Sequence, residues 1–348
     1  MGQVCPTVDG FIGTLMHSCK YGENAWQQPA GLYSTGSDDA LALHHFEIVE
    51  GTSPSYNNWC DTERLLQTMT HIAAALRANG FAIPGIALGA KHGNVCGAAI
   101  SPSFDVALRK MLSGDPLAIF GGLVMTNFEI GAAEADELVK GEGESKRLLD
   151  GVISSGFDEA AREKLHRKGG KCRLIQNEAL GTDVVCMLDV QPRFRYVRGG
   201  FLLQPNYHKV LVSKSLDISM PAKFNAATER DVLLAWAIGS TSNSNTITLV
   251  RDGKLLGNGV GQQDRVGAAE LAIKRAARSG HDLAGAVAYS DSFFPFPDAV
   301  EVLIKAGITT ILTSSGSVND KLTREVCQSA GVNLLMIPDA EGRGFFGH

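Results

Sequence analysis

The hydrophobic and polar positions of the chain alternate between short apolar runs and longer stretches with helical spacing. Residues 86–90 form an apolar run bounded by glycines, which predicts a buried strand. Upstream, the apolar positions between 65 and 76 recur at helical spacing, so we expect a helix with Asp61 as its N-cap and Gly80 at its end. A further strand is expected over residues 45–49, before that helix.

The same alternation continues to the end of the chain. A helix from Ser103 to Met111 is followed by an apolar strand at 123–125, whereas residues 129–173 are charged and typical of a helical connector. The later predicted elements are strands at 186–190, 200–204, 246–250, 284–289, 308–312 and 333–337, helices that end near residues 238, 278, 306 and 330, and a tight hairpin at Asp252-Gly253. This alternation favours an α/β fold built from two units.

The dipeptide Lys91-His92 falls at the end of the predicted strand 86–90. In open parallel α/β sheets the carboxyl ends of strands carry the ligand, so this position predicts an active site. Lysine supplies a cation for developing negative charge and histidine supplies a base that titrates near neutrality, a pair suited to transfer of an acyl group to a weak amine. An ordinary strand-to-helix turn, with a charged lysine and a hydrogen-bonded histidine, is the alternative.

Polar and aromatic segments elsewhere offer further candidate binding residues. Residues 20–29 are typical of a loop, and Asn58 precedes the first helix, where asparagine often only turns the chain. The pair Gly121-Gly122 either permits a turn or lets the backbone approach a ligand closely. Three alternating glycines at 257–261 are a weak phosphate-binding signal and fit a turn better. Three Phe and two Pro within 290–298 suit either a wall that stacks on a flat heterocycle or a buried turn.

Composition narrows the class of protein. The chain of 348 residues is 44% hydrophobic, enough for a large core and two domains of ordinary size. Its formal charge of -5 comes without long runs of one sign, so we expect no nucleic-acid or membrane partner. The seven cysteines are scattered singly without a Cys-x-x-Cys pair, which favours a reducing, cytoplasmic setting. Neither a signal peptide nor an apolar run of about 20 residues is evident, so we expect neither export nor membrane anchoring.

A set of polar motifs occurs along the chain in a fixed order. The motifs are Lys20-Tyr21-Gly22-Glu23-Asn24, Ser55-Tyr56-Asn57-Asn58 with Asp61, Lys91-His92-x-Asn94-x-Cys96-Gly97, Asp115-Pro116 with Phe120-Gly121-Gly122, Gly199-Gly200 with Gln204, Ser244-Asn245, Gly259-x-Gly261-Gln262 with Arg265, and Ser290-Asp291-x-Phe293-Phe294-Pro295-Phe296. No single motif is specific, but the ordered set resembles the transformylase domain of the bifunctional purine-biosynthesis enzyme family AICAR formyltransferase/IMP cyclohydrolase. The resemblance runs from Lys20 almost to His348.

The resemblance implies a fold, a reaction and an assembly. The fold would be two cytidine-deaminase-like α/β/α subdomains, residues 1–192 with a helical connector at about 129–180, and residues 193–348. The reaction would be formyl transfer from 10-formyltetrahydrofolate to the 5-amino group of AICAR, giving FAICAR in de novo purine (IMP) biosynthesis. The assembly would be a homodimer with sites at the subunit interface. Zinc-deaminase chemistry is not expected, since the Pro-Cys-x-x-Cys part of that signature is missing, and no metal is predicted.

The resemblance also assigns roles to individual residues. His92 would be the base toward the amine, Lys91 would stabilise charge and help protonate the leaving nitrogen, and Asn245 would orient the formyl or carboxamide oxygen. The residues expected to bind the nucleotide or the folate are Lys20, Tyr21, Asn58, Phe120, Gly121, Gly122, Arg265, Asp291, Phe293, Phe294, Pro295, Phe296, Asp298, Arg343 and His348.

Several positions depart from the family pattern. Only nineteen residues precede Lys20, so we expect no cyclohydrolase activity and ring closure elsewhere. Ala25-Trp26 replaces Pro-His, Val95 and Asp264 replace a Pro and a Ser, and the basic tail is thinned. Two other functions therefore stay open: a diverged AICAR-binding or purine-nucleotide-binding protein of the same fold, and a dinucleotide oxidoreductase that uses the glycines at 257–261.

Overall fold

The computed structural model describes residues 10–141 and 145–347. The strands in these ranges are β1 (Thr14–Cys19), β2 (Ala30–Ser34), β3 (Glu47–Glu50), β4 (Gly85–Lys91), β5 (Asn94–Ser101), β6 (Leu123–Thr126), β7 (Gly151–Ser154), β8 (Arg173–Gln176), β9 (Arg193–Val197), β10 (Gly200–Gln204), β11 (Asp217–Ile218), β12 (Ile247–Arg251), β13 (Lys254–Gly259), β14 (Val287–Ser290), β15 (Thr310–Ser315) and β16 (Asn333–Pro338). The α-helices are α1 (Tyr56–Ala78), α2 (Phe104–Leu112), α3 (Pro116–Ile119), α4 (Ala132–Val139), α5 (Glu159–Leu165), α6 (Ala226–Ser240), α7 (Arg265–Arg278), α8 (Asp298–Lys305), α9 (Asp320–Ser329) and α10 (Asp339–Gly342).

One mixed sheet of twelve strands runs through the molecule in the order β11-β16-β15-β14-β12-β13-β5-β4-β6-β7-β8-β3. Its two halves meet where β13 and β5 pair antiparallel, with Lys254 opposite Ala99. From this junction outward, each half has a hairpin, then a strand antiparallel to it, then two more strands parallel to that one, and an antiparallel edge strand. The two halves therefore repeat one topology.

Helices cover both faces of this sheet. Alternate residues of a strand point to opposite faces, so Ile86 and Leu88 of β4 join the core formed with α1 and α6, whereas Ala87 joins the core formed with α2, α4 and α5. In the other half, Val250 of β12 joins the core of α1 and α6, and Leu249 packs with α7 and α8. This three-layer arrangement confirms the predicted α/β class. None of the helices in the described ranges has the length and hydropathy needed to cross a membrane.

Helix α1 begins earlier than its apolar pattern indicates. Ser55 is the N-cap: its hydroxyl accepts from the Asn58 amide at 3.1 Å, and the Asn58 side chain accepts from the Ser55 amide at 3.0 Å. These reciprocal bonds form a capping box. The prediction that Asp61 caps this helix is therefore wrong, because Asp61 lies in its second turn and faces another element.

The Lys91-His92 pair lies at the tip of an antiparallel hairpin, not at a strand-to-helix turn beside a parallel strand. His92 and Gly93 have φ values of +54° and +70°, which is the conformation of a two-residue hairpin turn. The predicted Asp252-Gly253 hairpin is confirmed, with φ values of +54° and +67° at the equivalent position of the second half. A His-Gly turn lacks the Asn-Gly or Asp-Gly signature, which explains why the first hairpin escaped the sequence pattern.

The interval 129–180 is not a purely helical connector. It contains α4 and α5, but also β7 and β8, which pair in parallel within the central sheet. These strands have four residues each, too few to show a periodic pattern inside charged sequence. The strand predicted at 186–190 is also absent from the described elements, whereas the one at 200–204 is β10, which pairs with β9 in a separate hairpin.

Candidate active site

Lys91 ends strand β4 beside the loop that joins α3 to β6. Its Nζ donates a hydrogen bond to the Phe120 carbonyl oxygen at 2.5 Å. Gly121 follows with a φ of +70°, and a Cβ on Gly122 would lie 2.7 Å from the Ala90 carbonyl oxygen, closer than two such atoms can approach. The predicted residues of this loop are thus brought to Lys91, and Gly122 must be a glycine for the loop to pack against β4.

The backbone beside His92 is held by a carboxylate of α1. The Gly93 amide donates to Asp61 Oδ1 at 2.6 Å, and Asp61 is 8% exposed. Burial raises the pKa of Asp61, while the Gly93 amide and the nearby His92 oppose that rise. The His92 side chain itself is exposed at the tip of the turn. Asp61 therefore positions this turn, a role that sequence reasoning missed because it placed Asp61 at a helix cap.

A cavity of about 380 Å³ lies beside Lys91 and His92. Its charged lining includes Arg275 and Arg278 of α7, which pair with the buried Asp115 at 3.1 Å and 3.0 Å. The remaining lining residues are Asn94, Val95, Cys96, Leu117, Ala118, Leu256, Gly257, Asn258 and Val260. With two arginines and one lysine against one aspartate, the lining favours an anionic or carbonyl-bearing group.

Two kinds of residue in the lining of that cavity need comment: two arginines that the sequence did not predict, and a cysteine that is unsuited to be a nucleophile. Sequence reasoning missed Arg275 and Arg278 as site residues, because the pattern indicated only that a helix ends near residue 278. Cys96 also lines the cavity, but burial raises its pKa to about 12. The thiol therefore stays protonated near neutral pH and is unsuited to be a nucleophile.

A second cavity, of about 660 Å³, collects most of the predicted residues from the other half of the chain. The predicted residues that line it are Asn245, Arg265, Phe293, Pro295, Phe296, Asp298 and Arg343. Arg343 lies 5.8 Å from the centre of the Phe293 ring and forms an ion pair with Asp339 at 2.6 Å. An aromatic wall with arginines at its edge suits a flat, negatively charged heterocyclic ligand.

Asp291 and Phe294 are buried rather than presented to this cavity. Asp291 is 0% exposed and accepts from Arg265 at 2.5 Å, and the same nitrogen of Arg265 is 3.0 Å from Ser290 Oγ. Asp291 thus orients Arg265 from beneath. Phe294 is 2% exposed and belongs to the core of α7 and α8, so the buried-turn interpretation holds at that position and the wall interpretation at Phe293 and Phe296.

Asn245 is fixed by a neighbouring loop. Its Nδ2 donates to the Gln262 carbonyl oxygen at 2.9 Å, and the two backbones exchange hydrogen bonds of 3.1 Å and 3.2 Å. Nδ2 carries two N–H groups and one of them donates to Gln262, so the other is left, among the described residues, to donate to a carbonyl oxygen at the cavity. The predicted orienting role of Asn245 is compatible with this geometry.

The last described residues are hydrogen-bonded to the segment that carries Asn245. The Phe346 amide donates to the Ser242 carbonyl at 3.0 Å, and the Ser244 amide donates to the Gly347 carbonyl at 3.0 Å. The guanidinium groups of Arg64 and Arg193 both lie over the Phe346 ring, with their central carbons 4.4 Å and 3.5 Å from the ring centre. We call residues 343–347 the C-terminal strap.

The remaining predicted residues lie near the start of α1 or outside the described part. Lys20 is exposed and Tyr21 half-buried in the loop after β1, and Asn57 Nδ2 donates to the Glu23 carbonyl at 3.4 Å, which brings that loop to the N-terminus of α1. The side chain of Asn58 is used in the capping box. His348 lies outside the described residues. Within residues 10–141 and 145–347, no three His, Cys, Asp or Glu side chains converge as a metal site would require.

The chain is similar to one characterised family. The model of the AICARFT/IMPCHase bienzyme family matches residues 7–275. The bifunctional purine biosynthesis protein PurH of Oceanobacillus iheyensis is 34% identical over 316 residues, which cover 91% of this chain and 57% of that protein. PurH of Bacteroides thetaiotaomicron is 33% identical over 324 residues, covering 91% of this chain and 56% of that protein. The chain thus spans little more than half the length of these relatives.

Among solved structures, a diaminohydroxyphosphoribosylaminopyrimidine deaminase/5-amino-6-(5-phosphoribosylamino)uracil reductase from Thermotoga maritima aligns with 28% of this chain and 31% of that chain. The sequence identity is 22% and the TM-score is 0.21. A TM-score this low does not establish a shared fold.

Proposed function

The chain belongs to the AICARFT/IMPCHase bienzyme family, and on that premise we propose that it transfers a formyl group from 10-formyltetrahydrofolate to the 5-amino group of AICAR. The products would be FAICAR and tetrahydrofolate, a step of purine biosynthesis. The proposal concerns this reaction alone, because the motifs in this chain are those of the transformylase part of the family.

The observation that carries the proposal is the Lys91-His92 turn beside the cationic cavity. The exposed imidazole of His92 takes a proton from the 5-amino group as its nitrogen attacks the formyl carbon. Negative charge then develops on the formyl oxygen, where the Lys91 ammonium stabilises it. The bond from the formyl carbon to folate nitrogen N10 breaks, and N10 receives a proton as it leaves, so the proton taken from AICAR is balanced.

The second cavity supplies the groups expected to bind the folate and orient the formyl oxygen. Phe293 and Phe296 form the apolar wall, and Arg265, held by Asp291, offers a cation at its edge. The second N–H of the Asn245 amide would donate to the formyl or carboxamide oxygen, which accepts hydrogen bonds. We propose 10-formyltetrahydrofolate as a diffusible co-substrate and no resident metal.

We further propose a homodimer in which one copy brings Lys91-His92 and the other brings Asn245 and Arg265. In one chain these two groups line different cavities. The β9–β10 hairpin also stands apart from the central sheet and exposes apolar side chains, with Tyr196 75% and Leu202 61% exposed. Apolar patches of this kind favour a protein partner, and a second copy is the commonest one.

The repeated topology of the sheet supports the division into two cytidine-deaminase-like subdomains, residues 1–192 and 193–348. In each half the antiparallel edge strand, β3 or β11, is followed by a long helix, α1 or α6, and that helix precedes the hairpin. Under this proposal the junction of β13 and β5 is the subdomain interface.

The decisive test is turnover by the purified chain. AICAR and 10-formyltetrahydrofolate should yield tetrahydrofolate, followed by absorbance, and FAICAR, identified by chromatography, in equal amounts. A diverged nucleotide-binding protein would bind AICAR without forming either product. Binding without turnover would therefore contradict the proposal and favour that alternative.

A further inference from the structure

A cavity of about 830 Å³ lies at the end of the β4–β5 hairpin opposite His92, and we call it the distal cavity. Gly85, which begins β4, lines the distal cavity, whereas Lys91, which ends β4, lines the cavity beside His92. The seven residues of β4 separate Gly85 from Lys91 by about 20 Å. None of the residues to which we assign a role in formyl transfer lines the distal cavity. The distal cavity is therefore separate from the candidate active site.

The distal cavity lies beside the second half's counterpart of the turn that carries the proposed base. Asp61 and Asp231 are each the sixth residue of a long helix, α1 or α6. Asp61 accepts from the Gly93 amide at 2.6 Å. Asp231 accepts from the amides of Asp252 and Gly253 at 2.8 Å and 2.7 Å, and these three residues line the distal cavity. The two halves thus hold their hairpin turns in the same way.

The counterpart turn repeats the backbone of the first turn but not its chemistry. Asp252 takes the place of His92, and both residues have a φ of +54°. Arg251 ends β12 as Lys91 ends β4, but its guanidinium forms ion pairs with Asp252 at 3.6 Å and Asp282 at 3.2 Å. This end of the molecule therefore has a cavity without the imidazole proposed as the base for formyl transfer, which suits binding rather than conversion of a ligand.

The wall of the distal cavity includes an aromatic ring that is exposed yet held in place. Phe104 is 45% exposed, and its ring stacks on that of Phe128 with the centroids 4.2 Å and the planes 2° apart. Another part of the Phe104 ring lies against Gly85, where an added Cβ would be 2.6 Å from Phe104 Cδ1. A fixed ring offers a surface for an aromatic ligand at little cost in conformational entropy. The other apolar lining residues are Leu76, Phe81, Ala82, Ile83, Pro84, Ile100, Pro102 and Ala227.

Arg230 of α6 brings an unneutralised cation to this apolar wall. Its guanidinium carbon lies 5.8 Å from the centre of the Phe81 ring, and the side chain has no ion pair in the described part of the chain. The other charged groups of the lining have partners. Lys110 Nζ donates to the Asp252 carbonyl oxygen at 2.5 Å, and both carboxylate oxygens of Asp231 accept backbone amides. The distal cavity therefore offers one exposed guanidinium beside aromatic rings.

We propose that the distal cavity binds an aromatic carboxylate, a flat ring system that carries one carboxylate group. The carboxylate accepts two hydrogen bonds from the Arg230 guanidinium, whose paired N–H groups match its geometry. The ring system packs on Phe81 and Phe104, which an aliphatic acid would contact less well. This site does not depend on formyl transfer, so either proposal can fail without the other.

Isothermal titration calorimetry of the intact chain with 2-naphthoate tests the proposal. The comparison ligands are 2-naphthamide, which has the same ring system without the charge, and octanoate, which has the carboxylate without the rings. We expect saturable binding of 2-naphthoate, at least tenfold tighter than that of either comparison ligand. Arg230→Gln should weaken 2-naphthoate binding at least tenfold and leave 2-naphthamide binding unchanged. Phe104→Leu should weaken the binding of both ring-bearing ligands several-fold.

Arg343→Gln is the matched control, because the Arg343 guanidinium also lies 5.8 Å from a phenylalanine ring but lines the second cavity. This variant should bind 2-naphthoate as the native chain does. Loss of binding in Arg343→Gln but not in Arg230→Gln would place the probe in the second cavity and overturn the proposal.

Circular dichroism of each variant establishes that a loss of binding is not a loss of fold. Unchanged 2-naphthoate affinity in a folded Arg230→Gln variant would also overturn the proposal. So would octanoate or 2-naphthamide binding as tight as that of 2-naphthoate.

Discussion

His92 has an exposed imidazole and a backbone with positive φ, a conformation that neighbouring contacts hold in place. Its φ is +54°, and the next amide, that of Gly93, donates to buried Asp61 at 2.6 Å. A non-glycine residue in this region costs roughly 1–2 kcal/mol and persists where neighbouring contacts determine the backbone. A test of His92 must therefore remove the imidazole without disturbing the turn.

We predict that His92→Asn meets that requirement, because asparagine tolerates positive φ. The kcat for formyl transfer should fall about 10²-fold or more, the range of general base catalysis, while the KM for AICAR changes by a few-fold at most. Steady-state kinetics with both substrates measures the change. His45→Asn, at another exposed histidine, is the control. A folded His92→Asn variant with near-native kcat would exclude His92 as the base.

A second residue-scale prediction concerns the buried His71. Its pKa is about 4 in the folded chain against an ordinary value of 6.5, so between these pH values the unfolded chain binds a proton that the folded chain does not. Stability must then fall as the pH falls from 6.5 to 4, by roughly 3 kcal/mol from this group. Urea unfolding should show that His71→Asn, which keeps the donor to Gln67, loses correspondingly less stability over this range. Equal pH dependence in both proteins would contradict the assignment.

The sequence predicts residues of the candidate site, but it does not predict the contacts between them. Lys91, His92 and Gly122 could be selected because their residue types carry chemistry or backbone freedom. The bond from Gly93 to Asp61 joins residues 32 positions apart and depends on how α1 packs against the hairpin. No local pattern encodes that packing, so Asp61 was assigned the nearest local role, a helix cap.

At the scale of elements, the C-terminal strap connects α1, β9 and the segment before β12. Arg64 comes from α1 and Arg193 from β9, and both guanidinium groups lie over the Phe346 ring. Backbone hydrogen bonds of 3.0 Å fix the strap to Ser242 and Ser244, next to Asn245. The strap therefore helps to hold the proposed orienting residue.

We predict that Phe346→Leu loosens this segment. Each cation–π contact contributes about 0.5–2 kcal/mol, so the free energy of unfolding should fall by roughly 1–3 kcal/mol. The kcat should fall several-fold because Asn245 is held less firmly, while AICAR affinity changes little. Chemical unfolding and steady-state kinetics measure both effects. Val318→Ala, which is 98% exposed, is the control. An unchanged kcat would show that the strap has no positioning role.

The elements that the sequence missed share one cause. Strands β7 and β8 are four residues long and buried in the sheet, so they offer no alternation and lie within charged helical sequence. Long elements with clear periodicity, such as α1 and the strand at 86–90, could be predicted, although their ends could not. The hairpin turn at His92 required backbone dihedrals that a His-Gly dipeptide does not signal.

At the scale of the molecule, the α/β class follows from the alternation of elements, but the order of the strands does not. The junction of β13 and β5 joins residues more than 150 positions apart, and it makes one sheet from two repeated halves. In the same way, the sequence grouped Lys91-His92 with Asn245 and Arg265 in one site, whereas within one chain they line separate cavities. A second copy of the chain would reconcile these observations.

The shared site predicts complementation between two inactive variants. In the proposed homodimer each active site takes His92 from one copy and Arg265 from the other. His92→Asn removes the base and Arg265→Ala removes the cation, so each variant homodimer should be nearly inactive. When the variants are mixed, unfolded and refolded together, about half of the dimers carry one variant of each kind, and one of the two sites in such a dimer is intact. Activity should therefore recover to about a quarter of the native value, measured as tetrahydrofolate formation.

Light scattering of the native chain should give twice its mass of 37.0 kDa. If one chain supplied both groups to its own site, mixing would restore no activity, and a monomeric mass would rule out sharing altogether.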